Sequence, residues 1–274
     1  MQSQNSLNLS NGIFFKLKSS FKKLYKNSNF YEKRISKTFD NNFEYKPSPH
    51  LLSSIIKYQK KKYKIEDFVT ETIWTNNISS KDFKKLNNFF WFFSLDLKSS
   101  KETTQSIILN WINKNEKFDE NIWEFNITAK RIIAWLSNHQ LTYEDSNEEY
   151  RLYFNHMLQK QTNHLLNEIK NLDETEEKLI GCAAIILTGL AYKDEKNYLD
   201  SGLNILKNLI KHSLDKQGFP KSRNIQNLVF YLKYLIIIRE WFKESQNPIP
   251  EYVDETIYYL GSSYAFIWQN IKQD

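Results

Sequence analysis

Arg131 lies in a helical stretch between Trp123 and Trp135, where its planar guanidinium can clamp a carboxylate through two parallel hydrogen bonds. A structural ion pair with Glu124 or another acid is the competing use of the same side chain. Ser222-Arg223-Asn224 opens another helical stretch, whose free backbone N–H groups, together with Arg223, can hold an anionic group. Helix capping by Ser222 explains the serine but not the arginine. His139 closes a helix, and a helix C-terminus favours a charged imidazole, so it is either a proton-handling group or a cap. His164 can face a cavity or solvent. Trp123 and Trp135 can stack on sugar rings, although packing within a core is the more ordinary use of such residues.

Several other chemistries find no footing. The five histidines form no H-E-x-x-H or comparable pattern, so a metal site is not expected, and no cofactor is implied. Walker, G-x-G-x-x-G and G-x-S-x-G sequences are absent, which removes the usual grounds for nucleotide, dinucleotide or serine-hydrolase chemistry. The single cysteine, Cys182, excludes an internal disulfide framework, and its setting in GCAAIILTG suits a buried inert thiol. The net charge of +6 accompanies a Lys-, Asn- and Ile-rich composition with few arginines. That bias fits an A+T-rich genome better than a selected basic groove, and no nucleic-acid reading motif goes with it.

The elements that must position these residues are helical. Hydrophobic residues make up 41% of the 274-residue chain and aromatic residues 15%, enough for a sizeable core. Only six glycines and five prolines argue against a turn-dense β architecture. The N-terminus shows no signal-peptide pattern, and no apolar run reaches the roughly 18 residues of a membrane span. A soluble, cytoplasmic protein is the expectation.

Residues 1–40 read as a basic amphipathic extension: Phe14, Phe15, Leu17, Phe21, Leu24 and Tyr25 recur at helical spacing among Lys16, Lys18, Lys22, Lys23 and Lys26. Such a helix either lies on an anionic membrane or, the favoured alternative, packs across its own domain with its lysines in water. Residues 41–78 are the least helical, with a short helical piece at 51–58 and an irregular or two-stranded segment near 60–74. A helix starting at Ser79 or Ser80 carries Phe83, Leu86, Phe89, Phe90, Phe93 and Leu97, and further helices are expected over 103–114, 127–140, 147–171, 175–192, 196–215, 223–244 and 250–271. Two of these, Leu179–Tyr192 and Leu228–Trp241, are apolar almost all round and must be enclosed. Buried helices alternating with amphipathic ones suggest an all-α body over 41–274 built as a complete or incomplete α/α toroid or, failing that, a helical solenoid, and the lack of a fixed-period repeat favours the toroid.

Four segments in order carry a resemblance. Leu86-Asn87-Asn88-Phe89-Phe90-Trp91-Phe92-Phe93-Ser94-Leu95, preceded by Trp74, is similar to an L-H-G-F-D-W-L-R-D-L helix. Trp111-Ile112, followed by Trp123-Glu124-Phe125-Asn126-Ile127-Thr128-Ala129-Lys130-Arg131 and then Trp135-Leu136, is similar to W-I…W-x-P-x-x-T-x-R-R-L-x-x-W-L. Leu158-Gln159-Lys160-Gln161-Thr162-Asn163-His164-Leu165 is similar to L-x-R-Q-x-R-H-L. Gly218-Phe219-Pro220-Lys221-Ser222-Arg223-Asn224 is similar to G-G-H-x-S-R-S/N-P. Together they resemble the N-terminal helical domain of heparinase II/III-family proteins, polysaccharide lyases of an alphaproteobacterial branch.

The resemblance implies a toroid that binds, or helps to cleave by β-elimination, an anionic uronic-acid polysaccharide. Trp123, Asn126, Arg131, Ser222, Arg223 and Asn224 become substrate-binding candidates, and His139 and His164 weak catalytic ones. In the family an Asn-His pair and a tyrosine supply the chemistry, and a β-sandwich domain completes the cleft. Asn138-His139 and Asn163-His164 provide the residue types, but the family's Asn-His region aligns better with Glu177–Gly181, which has neither. Lys221-Ser222-Arg223 replaces the family's charged and tyrosine residues after the glycine loop. No strand-rich segment follows the last helix, so the expected partners are an anionic polysaccharide and a separately encoded sandwich, with no nucleic acid. Family members that act in the periplasm keep localisation open. A non-catalytic helical scaffold binding a protein or a glycan, from a truncated or split gene, is the alternative.

Overall fold

The computed structural model describes residues 20–39, 44–48, 51, 80–173, 175–192 and 196–271. The expected helical piece at 51–58, apart from Leu51, and the strand-like segment near 60–74 lie outside the described residues. Residues 20–26 are helical and lead into α1 (Asn29–Ile35). Then follow α2 (Ser80–Asn87), α3 (Lys101–Asn115), α4 (Phe125–Ser137), α5 (His139–Thr142) and α6 (Glu148–Glu168). The series ends with α7 (Thr175–Ala191), α8 (Lys196–Ser213), α9 (Ile225–Glu244) and α10 (Glu251–Ile271). Among the described residues the β-structure is one isolated bridge, Leu214 with Pro220. The all-α expectation therefore holds.

Polar side chains set several helix starts. Ser100 Oγ accepts from Thr103 N at 3.1 Å, Asn147 Oδ1 from Tyr150 N at 2.8 Å and Asn224 Oδ1 from Gln226 N at 2.8 Å. Each satisfies one of the four N–H groups that a helix start leaves unpaired, worth about 1 kcal/mol. The helix from Ser80 ends earlier than its aromatic run suggests. Phe89 takes a left-handed backbone conformation (φ 57°) and a 3₁₀ turn, Phe90–Ser94, follows. Five aromatic-rich residues in a row cannot all face one side of an α-helix. The break instead drops Phe89 into the core, edge-on to Phe92, Trp111 and Trp135.

The centre of the body is α7. Every residue from Leu179 to Ala191 is buried, and α4, α6, α8 and α9 all pack against it. A helix with no polar face is thus enclosed, as its sequence requires. Two glycines let α8 come close: a Cβ on Gly189 would stand 2.4 Å from the Leu199 backbone nitrogen, and one on Gly202 would stand 2.7 Å from Ile186. The second apolar helix, α9, also packs on α7, buries Leu228, Tyr231, Leu235, Ile238 and Trp241, and receives α10 as well. Across the core, Trp111, Trp135, Phe89 and Phe154 form a contiguous aromatic cluster that joins α3, α4 and α6.

The N-terminal extension packs on its own body along α6. A polar stripe at helical spacing on α6 takes hold of it. Thr38 Oγ1 bonds His156 at 2.8 Å, and the Gln159 amide pairs with both Phe39 backbone groups at 2.8 and 3.1 Å. Lys160 pairs with Glu32, and Asn163 Nδ2 donates to Ile35 O and Lys37 O at 2.9 and 2.8 Å. Glu168 receives Lys22 and Lys26 at 3.0 and 2.6 Å.

Candidate functional site

Arg131 is fully buried on α4. Its Nε donates to Gln161 Oε1 at 2.7 Å, Nη1 to Asn87 O at 2.8 Å and Ile122 O at 3.2 Å, and Nη2 to Thr128 Oγ1 at 3.2 Å. Its Cζ lies 4.1 Å over the Trp111 ring. Burial pulls its pKa well below the usual arginine value, and neutral acceptors plus a ring face replace the water it loses. Glu124, the acid expected beside it, pairs with Lys84 at 2.6 Å instead. Arg131 therefore ties α4 to α6, to the end of α2 and to the loop before α4.

Trp123 and His164 share this interior. Trp123 Nε1 donates to Asn115 O at 3.2 Å. His164 Nε2 lies 2.9 Å from Trp123 O and its Nδ1 lies 2.6 Å from the Tyr31 hydroxyl. A carbonyl only accepts, so Nε2 carries the proton and Nδ1 accepts from Tyr31, which fixes the neutral tautomer. Burial, reinforced by Lys26 and Arg131, lowers the His164 pKa to about 3. Both ring nitrogens are thus engaged inside the protein. The other member of this pair, Asn163, holds the N-terminal extension and accepts from the Tyr198 hydroxyl at 3.0 Å.

His139 starts α5 at the junction with α4, and its Nε2 lies 3.2 Å from Glu144 Oε1. Burial, with Lys46 acting in the same direction, lowers its pKa although Glu144 and the Pro47 backbone oppose the shift. Desolvation outweighs the helix-end effect, so the charged imidazole expected from the sequence is disfavoured. Asn138 folds back onto Ala134 O at 2.8 Å. Asn126 lies in the first turn of α4, with its Oδ1 buried and without a hydrogen-bond partner among the described residues.

Ser222, Arg223 and Asn224 are all exposed. Asn224, rather than Ser222, caps α9. Arg223 adopts a left-handed conformation (φ 57°), its side chain is 68% exposed, and Nη1 pairs with Asp215 Oδ2 at 2.8 Å. Hydrogen bonds from the Phe219 and Gln217 backbone N–H groups, then Arg223, hold the Asp215 carboxyl below its usual range. Among the described residues, no hydrogen bond, ion pair or ring contact joins this turn to Arg131. The structure therefore brings Trp123, Arg131 and His164 together in the core and leaves Ser222–Asn224 apart in solvent.

Among the described residues no three His, Cys, Asp or Glu side chains gather as a metal ion would need. No described helix is long and apolar enough to cross a membrane. Cys182 is buried and its thiol pKa is pushed up by desolvation. The grip of α6 on residues 22–39 is absent from the sequence-based site. Its only signal is the polar spacing 156, 159, 160, 163, 164 and 168 on a helix with an apolar opposite face. No family model matches the chain, and no curated protein or solved structure matches it.

Proposed function

We propose that the chain is a non-catalytic helical scaffold that binds a partner, with an anionic glycan as the partner class that suits its exposed candidates. One observation carries this reading. Arg131, Trp123 and His164, the residues best suited to handle a uronate, spend their polar groups on the protein's own interior. An eliminative lyase needs a group that neutralises the sugar carboxylate, a base that takes the neighbouring proton and an acid that protonates the leaving oxygen. A buried guanidinium and a neutral, doubly bonded imidazole do not meet those needs.

In this reading the body is a heparinase II/III-like α/α toroid retained as a binding shell. The glycan contact falls to Ser222, Arg223 and Asn224. Arg223 keeps donors beyond the one that pairs with Asp215, and exposed guanidinium groups suit sulfate and carboxylate recognition. The lyase reading differs by requiring a separately encoded sandwich to complete a cleft.

Titration of the chain with a uronic-acid polysaccharide, while following the absorbance of unsaturated uronate products, tests both. The scaffold reading expects binding without product, weakened about tenfold by Arg223→Ala, the loss of one charge-assisted contact. Product formation, alone or with an added sandwich chain, would overturn the non-catalytic reading. Absence of binding would remove the glycan as partner.

A further inference from the structure

The basic excess of this protein is not spread evenly along its sequence. Residues 1–39 hold eight lysines and arginines against one carboxylate, Glu32, whereas the rest of the chain holds 30 against 31. The described part of that segment has two opposed faces. Its inner face is fixed to α6 by buried Tyr31 and Ile35 and by the ion pairs of Lys22 and Lys26 with Glu168 and of Glu32 with Lys160.

The outer face is apolar where a free surface should be polar. Phe21 and Leu24 are each 68% exposed and Phe30 is 69% exposed. They form a continuous strip: Phe21, Leu24 and Tyr25 lie three and four residues apart on one helix, and the Tyr25 and Phe30 rings are 6.2 Å apart. Large apolar side chains held outward on an anchored element mark a contact surface. Lys33 and Lys37, both exposed, have no ion pair among the described residues, and Arg34 is bonded only to the Tyr25 hydroxyl at 3.2 Å. Lys23 pairs with Glu120 at 3.0 Å, but both side chains are more than half exposed, and such a pair exchanges easily for another anion.

We propose that the outward face of residues 21–37 is a docking surface for a bilayer bearing anionic phospholipids. Phe21, Leu24 and Phe30 enter at headgroup depth, and Lys23, Lys33 and Lys37 hold the anionic headgroups. Exposed bulky side chains beside cations match what an interfacial helix needs, namely buried apolar area plus electrostatic attraction. Nucleic acid would use the cations but give Leu24 nothing to pack on. The favoured packing of this segment on its own domain and its alternative use on a membrane are thus compatible, because they use opposite faces.

Co-sedimentation of the full chain with phosphatidylcholine vesicles, with and without phosphatidylserine, tests the proposal. Binding is expected to the anionic vesicles and to fall as salt rises. Phe21→Ser/Leu24→Ser/Phe30→Ser should lower it by at least about tenfold. Lys33→Ala/Lys37→Ala should lower it by about fivefold for each charge removed. All five positions are exposed, so the circular dichroism of the variants should match the parent. A parent chain that stays in the supernatant with both vesicle types overturns the proposal. So does binding that the apolar triple variant retains in full, which would leave the exposed strip of Phe21, Leu24 and Phe30 without a part in vesicle binding.

Discussion

His164 shows how much a single side chain's environment decides. The ring donates to Trp123 O, accepts from Tyr31 and sits in a buried interior where a protonated, charged imidazole is costly. Its folded pKa of about 3 lies below the ordinary 6.5. Between those values the unfolded chain binds a proton that the folded chain does not. This contribution to stability is therefore fully present above about pH 6.5 and is lost as pH falls toward 3. Urea unfolding over that window should show a free energy that drops by up to about 1.4 kcal/mol per pH unit from this residue, and His164→Gln should flatten the dependence. A His164 ring facing solvent would give no such difference between the two proteins. Nothing local in the sequence distinguishes these cases, because Tyr31 is 133 residues away from the ring it serves.

At the scale of elements, close approach of α7 and α8 rests on glycine. Gly189→Ala places a methyl group 2.4 Å from the Leu199 backbone nitrogen, which cannot rotate away, so the helices must separate. A loss of about 2–4 kcal/mol in unfolding free energy is expected. Gly261→Ala in α10 meets nothing within 4 Å and should stabilise by about 0.5–1 kcal/mol through helix propensity. Thermal melts of the two variants, moving in opposite directions, check the packing of the central helix. Helices themselves were legible. Expected ends at 192, 215, 244 and 271 fall within two residues of the observed 191, 213, 244 and 271, because period and caps are local. The early end of α2 was not legible, since Phe89 is held left-handed by Trp111 and Trp135 from distant helices.

At the scale of the whole molecule, the apolar pattern announced that Leu179–Tyr192 must be enclosed, and α7 buries every residue from Leu179 to Ala191. Which polar residues would be turned inward was another matter. Arg131 looks the same in sequence whether it waits for a ligand or receives Asn87 O and Gln161 Oε1 from other elements. The polar stripe of α6 likewise gains its meaning only from residues 22–39, more than a hundred positions earlier. Charge distribution reverses the lesson, because the crowding of cations into residues 1–39 is plain in the sequence and acquires a direction only once α6 fixes one face.

Arg131 belongs to the architecture and Arg223 to the surface. Urea unfolding of Arg131→Lys and Arg223→Lys tests this division directly. A lysine cannot reproduce the planar fork that reaches Gln161, Asn87, Ile122 and Thr128. Arg131→Lys should therefore lose about 3 kcal/mol or more, while Arg223→Lys should change by less than about 0.5 kcal/mol. An Arg131→Lys protein as stable as its parent would show that these hydrogen bonds do not hold the fold, and would return the parent's Arg131 guanidinium to the ligand-binding candidates.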